Sequence, residues 1–405
     1  MPGPLTGVRV IDLSAVLSGP LAGGILADQG ADVVKVETLD GDIVRRMGGK
    51  PEGVTAGFLT ANRGKRSIAV DVKRPEGLDI VKRLLRDADV LIQNFRPGAV
   101  ERMGLGEPVV RELNPRIIYV SISGFGDTGP YSHKRVYDPV IQSLSGLADI
   151  QRDRQTGRPM MIRTVIPDKT TGLTAAQAVT AALFARERSG EGQHIKLAMI
   201  DAMIGLAWAE GMAAYTVVGN EDKVAPETRP DLIYRTADGY ITAGAVSDAE
   251  WQGMCRALEQ DAWLEDERFR TPAGRVRNAT ERLRMTAEVL LTKESGYWLP
   301  RLDAEGVPSA PVLTRRELLT HEQIVANELI EEMSQPGLGT VRQARPPARF
   351  SGTPAAIGGP APFLGEHTAE VLGELGLTTN DVDALVDAGV VRTGGPTERG
   401  PTDPS

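Results

Sequence analysis

Short runs rich in valine and isoleucine alternate, from Val8 to Ser123, with stretches whose apolar residues recur at helical spacing. This alternation is typical of βαβ units on a parallel sheet, and it constrains the fold more than any other feature of the chain. One intervening stretch, Pro75–Ala88, predicts an amphipathic crossover helix. We therefore expect an α/β domain that binds ligands at the carboxyl ends of its strands. The predicted strands are Val8–Asp12, Asp32–Glu37, Ser67–Asp71, Val90–Gln93 and Ile117–Ser123.

The composition excludes several other classes of protein. At roughly 100–200 residues per domain, 405 residues are enough for about two or three folded units. The net charge of −8 argues against nucleic acid as a main partner, and no window approaches the ~18–20 apolar residues of a membrane span. Cys255 is the single cysteine and the four histidines form no metal-binding pair, so we expect neither a disulfide nor a protein-bound metal. Together these features predict a cytoplasmic protein without an export signal.

The middle of the chain predicts a second, smaller domain. The Ala-rich stretch Asp168–Arg188 is expected to form a long helix, and the strand His194–Met199 follows it. These elements belong to a large domain that we place at residues 1–220. A polar, proline-containing stretch then leads into a hairpin and several helical patterns, which predict an α+β domain at 225–330.

The end of the chain changes character again. Residues 335–362 are rich in proline and glycine, which predicts an extended segment rather than a helix or a regular sheet. A short helix is expected at Glu366–Leu375. Residues 392–405 contain almost nothing to bury and are expected to be a disordered tail.

The first βα turn does not encode a dinucleotide site. Its sequence, DLSAVLSGPLAGG, contains Gly19, Gly23 and Gly24 but lacks the G-x-G-x-x-G pattern that lets a backbone approach a pyrophosphate. Glu37, at the end of the second predicted strand, occupies the place of a ribose-binding acid, but the sequence favours a solvated strand-end carboxylate.

Positive charge in this acidic chain suggests a phosphate-bearing ligand. The run Asn62–Arg66 precedes the third predicted strand, Lys73 follows it, and Arg96 and Arg102 follow the fourth. Any one of these cations is by itself most simply a solvated surface residue, but their clustering beside adjacent strands favours a ligand with phosphates. Asn94 and Phe95 come directly after the fourth strand, where they could contact the same ligand or serve as a turn residue and a core aromatic.

Several ordered motifs resemble those of the class III CoA-transferases, also called the CaiB/BaiF family. The resemblance runs from Leu5 to about Val390 and implies a large Rossmann-like domain built from both chain ends, with 335–391 returning to complete it. It also implies a smaller domain from the middle of the chain and an interlocked homodimer. The motifs are LTGVRVIDLSAVLSGPLAGGILADQGADVVKVE, NRGKRSIAVD, NFRPGAVERMG, NPRIIYVSISGFG, PDKTTGLTAAQAV, GEGQHIKLAMIDA and LGEHT.

The resemblance also implies a catalytic residue and a CoA site. Asp168 matches the family's aspartate nucleophile, although local sequence alone favours a helix cap. The chain departs from the family pattern at two places. Thr38 stands where well-known members carry an arginine. Residues 225–250 lack the glycine-rich lid of some oxalate- and formate-handling members, and this absence disfavours those two acids as substrates. The positions that match CoA-contacting residues are Val16, Val70, Lys73, Asn94, Phe95, Arg102, Arg135 and Tyr137.

The implied reaction is the transfer of CoA from an acyl-CoA to a small carboxylic acid through an aspartyl mixed anhydride and an aspartyl-CoA thioester. Such chemistry needs no tightly bound cofactor, because coenzyme A is itself the substrate, and no metal. An α-methylacyl-CoA racemase is the closest alternative, but its catalytic histidine is matched by Tyr137, and His133 lies in a polar loop nearby. A CoA-binding protein without turnover is a third alternative. The identities of the donor and the acceptor cannot be read from the residues.

Overall fold

The computed structural model of the chain describes residues 3–47, 55–153, 155–219 and 231–395. The chain divides into two compact units. The first consists of residues 1–226 together with 328–405, and the second of residues 227–327. The ranges predicted from the sequence are 1–220, 225–330 and 335–391, with a separate tail from 392, and the limits of the second unit differ from the predicted 225–330 by two and three residues.

The first unit is organised by a parallel sheet. Its strands occur in the order β3-β2-β1-β4-β5-β6, and each pairs in parallel with its neighbour. This is the strand order of a doubly wound dinucleotide-type sheet, whose direction of winding reverses between β1 and β4. The predicted strands are confirmed to within one residue at each end. The strands are β1 (Arg9–Asp12), β2 (Asp32–Glu37), β3 (Arg66–Val70), β4 (Val90–Gln93), β5 (Ile118–Ser123) and β6 (His194–Ala198).

Helices cover both faces of this sheet. The amphipathic α3 buries Ile80, Val81, Leu84 and Leu85 against one face. On the other face, α1 and α8 pack together over a cluster of valine, isoleucine and alanine side chains. Each fully buried aliphatic side chain contributes about 1.5–3 kcal/mol, so both faces stabilise the sheet. The helices are α1 (Ser18–Asp28), α2 (Ala56–Asn62), α3 (Pro75–Arg86), α4 (Ala99–Arg102), α5 (Glu107–Leu113), α6 (Asp138–Leu144), α7 (Leu147–Ile150), α8 (Ile166–Ser189) and α9 (Met199–Gly211).

The second unit has its own core. An antiparallel sheet is formed by β7 (Ile233–Arg235), β8 (Tyr240–Ala243) and β9 (Ser309–Pro311), and the first two make the predicted hairpin. Trp251 stacks on Trp263, and Trp298 is buried in the same cluster. The helices are α10 (Asp248–Ala257), α11 (Ala262–Glu265), α12 (Pro272–Arg277), α13 (Ala279–Leu290), α14 (Ser295–Ala304) and α15 (Glu322–Ala326).

The chain after residue 328 corrects two expectations. The predicted extended segment at 335–362 contains regular structure, because β11 (Gly339–Ala344) pairs with β10 (Ile330–Gln335) in an antiparallel hairpin. The helix predicted at Glu366–Leu375 is confirmed as α16 (Thr368–Glu374), and a further helix, α17 (Thr379–Asp387), follows it.

A last strand closes the edge of the large sheet. In β12 (Val391–Arg392), Arg392 pairs antiparallel with Ala69 of β3, so the tail expected from 392 begins later than predicted. Within the described ranges the large sheet therefore has seven strands. The LGEHT motif also lies along this edge, where Gly365 N–H donates to Ser67 Oγ and Ala69 N–H donates to Thr368 Oγ1. Residues 396–405 of the predicted disordered tail lie outside the described residues.

The described residues contain neither a membrane-spanning helix nor a cluster of metal-ligating side chains. No helix among them combines the length and the apolar character needed to cross a bilayer. Within the same ranges, no group of three or more histidine, cysteine, aspartate or glutamate side chains is arranged to hold a metal ion.

Candidate active site

The loop between β1 and α1 lies at the carboxyl end of the sheet. Within it, Val16 has a φ of 69°, in the left-handed region. For a β-branched residue this conformation costs on the order of 1–3 kcal/mol and persists only where its surroundings enforce it. The backbone here is therefore held in place by the rest of the structure.

Side chains from three neighbouring segments hold this loop. Lys35 Nζ donates to the carbonyl of Ser14 at 2.9 Å, and the Asp42 carboxylate accepts from the N–H of Val16 at 3.2 Å. Asn94 engages Ala15 on both sides, since its Oδ1 accepts from the Ala15 N–H at 2.9 Å and its Nδ2 donates to the Ala15 carbonyl at 2.7 Å. The amide of Asn94 is thus used within the protein, although the sequence analysis assigned it to CoA.

A buried group of charges lies beneath the loop. Lys65 donates to Asp12 at 2.8 Å, and Lys35 donates to Asp42 at 3.1 Å; all four side chains are almost completely buried. Burial lowers the pKa of Lys65 to about 8. Burial opposes the charge on Asp12, but Lys65 and Lys35 outweigh it and hold the pKa of that carboxyl below its usual value. Opposite charges therefore compensate one another under the loop.

Asp168 lies in the first turn of α8 and is half-buried. Burial, and next the charge of Asp138, raise its pKa to about 6, while hydrogen bonds donated by the N–H and the hydroxyl of Ser18 act in the opposite direction. The N-terminus of a long helix favours an anion at this position. Asp168 is accordingly an ionisable carboxylate with little solvation, hydrogen-bonded to the first residue of α1.

Gly172 allows this close approach of α8 to α1. A Cβ at this position would lie 2.9 Å from the carbonyl oxygen of Ser18 and 3.1 Å from Leu21 Cβ. Gly172 is four residues after Asp168 and therefore shares its helix face. Because Gly172 has no side chain, the two helices lie close enough for Ser18 to approach the Asp168 carboxylate.

Asp138 is a second carboxylate beside Asp168. It begins α6 and is only 4% exposed. Its Oδ1 accepts from Gln142 Nε2 at 2.6 Å, whereas its Oδ2 has no hydrogen-bond partner. Burial raises the pKa of Asp138, while Gln142 and the backbone N–H of Asp168 oppose that rise. Two neighbouring carboxylates in a partly dry site each disfavour the other's ionisation.

A cavity of about 170 Å³ opens at the carboxyl ends of β1 to β4. Val70 and Phe95, two of the predicted CoA-contacting residues, line it together with Ser14 and Ala15 of the β1–α1 loop. Thr38, the position that departs from the family pattern, lines the cavity as well. The cavity therefore lies where a doubly wound sheet binds its ligand.

The other predicted contact residues take different positions. Val16 and Asn94 belong to the β1–α1 loop and its support, and Val16 packs on the Phe58 cluster. Tyr137 is 68% exposed and directly precedes Asp138. Lys73, Arg102 and Arg135 are also exposed.

Much of the predicted phosphate-binding cluster serves another purpose. Lys65 forms a buried ion pair with Asp12, and Arg63 forms a buried ion pair with Asp28 at 2.6 Å. Arg66 is bound by Asp32, Glu370 and Glu374. The physical reason is position, because these residues enter β3 at its amino end, whereas ligands of such sheets bind at the carboxyl end.

Glu37 is likewise unavailable to a ribose. It is buried and pairs with Arg45 at 2.6 Å. The solvated carboxylate considered for this position is therefore wrong as well, since Glu37 belongs to the buried framework.

Ser18 and Asp138 are the residues of the site that sequence analysis missed. Ser18 was visible only as part of a Ser-Gly-Pro turn that begins a helix after a strand. Asp138 was visible only as the residue after Tyr137. Neither pattern indicates contact with Asp168, which is 150 residues away from Ser18 in the chain.

Comparisons with known proteins all indicate one family. A family model described as CoA-transferase family III matches residues 5–368. The chain is similar to the succinate–glutarate CoA-transferase of Agrobacterium fabrum, at 36% identity over 92% of this chain and 96% of that protein. It is also similar to the formyl-CoA:oxalate CoA-transferase of Streptomyces avermitilis, at 33% identity over 96% of this chain and 99% of that protein.

A solved structure supports the same grouping. The crystal structure of a CaiB/BaiF family protein from Brucella suis matches with a TM-score of 0.80 and 33% identity. The match covers 93% of this chain and all of that one.

Proposed function

The chain belongs to CoA-transferase family III, and from this premise we propose that Asp168 is the nucleophile that exchanges CoA between an acyl-CoA and a carboxylic acid. One observation carries the proposal. The β1–α1 loop lines the cavity at the carboxyl edge of the sheet with Ser14 and Ala15, and three residues later it leads to Ser18, whose N–H and hydroxyl lower the pKa of Asp168. A thioester held along this loop would have its carbonyl carbon directed towards an ionised carboxylate.

The reaction proceeds in two matched halves. Asp168 attacks the thioester carbonyl, the carbon–sulfur bond breaks, and CoA departs as a thiolate, which leaves a mixed anhydride on Asp168. The thiolate attacks the side-chain carbonyl of Asp168 and releases the donor as a carboxylate, which leaves an aspartyl-CoA thioester. The acceptor carboxylate attacks this thioester to form a second anhydride and thiolate, and attack of the thiolate on the acceptor's carbonyl gives the new acyl-CoA. Charge and protons balance without a general acid or base.

The surroundings of Asp168 suit this chemistry. A pKa of about 6 leaves the carboxylate ionised over its acid form by about ten to one at pH 7. Its partial burial removes the water that would otherwise solvate the attacking oxygen. The N–H of Ser18 is a fixed donor beside the carbon that becomes tetrahedral when the thiolate attacks Asp168, and one such donor contributes about 10²–10³ in rate.

The remaining assignments follow from the premise. We assign CoA contact to the cavity residues Val70 and Phe95, and contact with its phosphates to exposed cations such as Lys73, Arg102 and Arg135. The acceptor is a small carboxylic acid, and the named relatives include enzymes for both glutarate and oxalate. Because the reaction draws on CoA, we place the enzyme with the CoA pool of the cytoplasm.

A homodimer, interlocked as in the family, is part of the proposal. Large apolar side chains project outward from α8 and α9, where a second copy would cover them. These side chains are Leu173 and Phe184 on α8, and Leu206 and Trp208 on α9. Sedimentation equilibrium should give a dimer that persists at nanomolar concentration, whereas a monomer would contradict this part.

Trapping the covalent intermediate tests the proposed function. The enzyme is incubated with a panel of acyl-CoA donors and free acids, quenched with hydroxylamine or borohydride, and digested for mass spectrometry. We expect a modified Asp168 peptide, loss of transfer by at least about a thousandfold in Asp168→Asn, and CoA binding close to that of the wild type. An Asp168→Asn enzyme that still transfers CoA would remove the nucleophile from the proposal.

Deuterium distinguishes the racemase alternative. In deuterated water a 2-methylacyl-CoA should acquire no deuterium at its alpha carbon, because no base acts there in the transfer reaction. Exchange at the rate of turnover would favour the racemase. CoA binding with neither exchange nor transfer would favour the non-catalytic alternative.

A further inference from the structure

The β1–α1 loop has an unusual series of backbone contacts. Five consecutive polar groups, from the Ser14 N–H to the Val16 N–H, are bonded by side chains. Only the first of these side chains, Asp12, directly precedes the loop. The others, Lys35, Asn94 and Asp42, come from the carboxyl ends of β2 and β4 and from the segment after β2. The loop is thus shaped by distant parts of the chain.

The conformation that these contacts hold is strained. Val16 has a φ of 69° between Ala15, which Asn94 grips at both its N–H and its carbonyl, and Leu17, which precedes α1. Without such contacts a valine would return to negative φ. That change would rotate the following peptide groups, including the N–H of Ser18.

Ser18 is the point where the loop meets Asp168. Its N–H and hydroxyl lie close enough to the Asp168 carboxylate to lower the pKa of that group. It is only 4% exposed, which leaves it little freedom to compensate for a shift of the loop. The orientation of this donor therefore depends on the groups that hold Ala15 and Val16.

We propose that Asn94, together with the buried Lys35–Asp42 pair, is a positioning residue for the transfer reaction, which holds the strained loop so that the Ser18 N–H stays directed at Asp168. The proposal rests on the proposed function, and it replaces direct CoA contact by Asn94 with an action through Ser18. The hydrogen bonds from Ser18 lower the pKa of Asp168, so their loss has a direct electrostatic signature.

Asn94→Ala is the first test. We expect kcat to fall about ten- to a hundredfold, as follows from releasing a conformation that costs on the order of 1–3 kcal/mol, with a smaller change in KM for acyl-CoA. The pKa of Asp168 should rise above about 6, seen as an upward shift of the acid limb of kcat/KM. Should this variant fail to fold, Asn94→Ser, which keeps a hydrogen-bonding group at the position, is measured in the same way.

A second substitution tests whether backbone strain at Val16 causes the fall in kcat. Glycine adopts positive φ at no steric cost, so Val16→Gly combined with Asn94→Ala should restore part of kcat and return the acid limb towards its original position. Asn94→Ala acting through general destabilisation or lost CoA contact would not be rescued in this way.

Asn114 provides a matched control. Its amide also bonds backbone groups, donating to the carbonyls of Leu85 and Ala88 at 3.0 and 2.8 Å and accepting from Arg116 N–H, but it does so far from this loop. Asn114→Ala should lower the unfolding temperature and leave the acid limb of the kcat/KM pH profile where it is in the wild type.

A titration separates failure of this proposal from failure of the proposed function. The Asp168 carboxyl is followed by ¹³C NMR in the wild type and in Asn94→Ala, with its signal identified from Asp168→Asn. An enzyme inactive with every donor would contradict the proposed function. The titration would still show whether Asn94 keeps Ser18 positioned to lower the pKa of Asp168. An unchanged Asp168 titration in folded Asn94→Ala, or a defect confined to KM, would overturn the positioning role.

Discussion

Two carboxylates that are 30 residues apart in the chain become neighbours at the site. Asp168 and Asp138 each lose solvation, and the charge of Asp138 raises the pKa of Asp168. Burial is the larger cause, and Asp138 adds to it. The nucleophile is therefore a weaker acid than an ordinary aspartate, which makes its oxygen a better nucleophile while keeping it mostly ionised near pH 7.

Asp138→Asn should lower the pKa of Asp168. Asparagine keeps the shape and the acceptor for Gln142 but removes the like charge, so the acid limb of kcat/KM should move to lower pH. Wild-type activity is lost as pH falls through about 6, and the variant should retain it to lower pH. The measurement is a pH profile of kcat/KM.

Asp149→Asn is the control for this shift. Asp149 is an exposed carboxylate on α7 that pairs with Arg152, so solvent and salt screen it. Removal of the Asp149 charge should leave the acid limb of the kcat/KM pH profile unchanged. If the limb also stays in place in Asp138→Asn, burial alone raises the pKa of Asp168.

At the scale of elements, the contact between α1 and α8 makes the site. The helix α8 was expected at Asp168–Arg188 against the observed Ile166–Ser189, and α1 lies in one of the stretches of helical period between the predicted strands. Their mutual approach was not predictable, because it depends on which helix face meets which neighbour. Gly172 is the place where α8 passes the carbonyl of Ser18, which its position in the sequence did not indicate.

Gly172→Ala should separate these helices. Its Cβ would meet backbone at 2.9 Å, which forces a shift of a few tenths of an ångström and weakens the bond from Ser18 to Asp168. We expect a loss of about 1–3 kcal/mol in the free energy of unfolding, and a fall in kcat larger than any change in CoA affinity. Urea unfolding and steady-state kinetics measure the two effects.

Gly373→Ala in α16 is the matched substitution. Nothing lies within 4 Å of the Cβ that it would add, so the helix should gain about 0.4–1 kcal/mol. Equal effects of the two substitutions would contradict the close-approach argument.

At the scale of the whole molecule, the chain divides into units with separate cores. The second unit buries Trp251, Trp263 and Trp298 in a cluster of its own. The first unit is closed by β12 and by the LGEHT segment, which reach β3 from about 300 residues further along the chain. We therefore propose that the middle of the chain is an independent domain inserted between the two parts of the large one.

The fragment 227–327 should fold alone. Its stacked tryptophans should give a near-ultraviolet circular dichroism signal that disappears in one cooperative transition on heating, as expected of a domain with its own core. A flat near-ultraviolet spectrum would show that this core needs the rest of the chain. A fragment that stops at 290, which removes Trp298 and β9, is the control that should not fold.

The strands, the long helices and the family could be predicted from the residues alone, because the period of apolar residues and the order of motifs are local properties. The role of each charged group became visible only in the folded chain. Arg63, Lys65 and Arg66 form an apparent phosphate-binding run, but their carboxylate partners Asp28, Asp12 and Glu374 lie tens to hundreds of residues away. Ser18 and Asp138 likewise gained their relation to Asp168 through packing. An ion pair or a shifted pKa depends on distances in space, and chain order does not encode these distances until the helices have packed on the sheet.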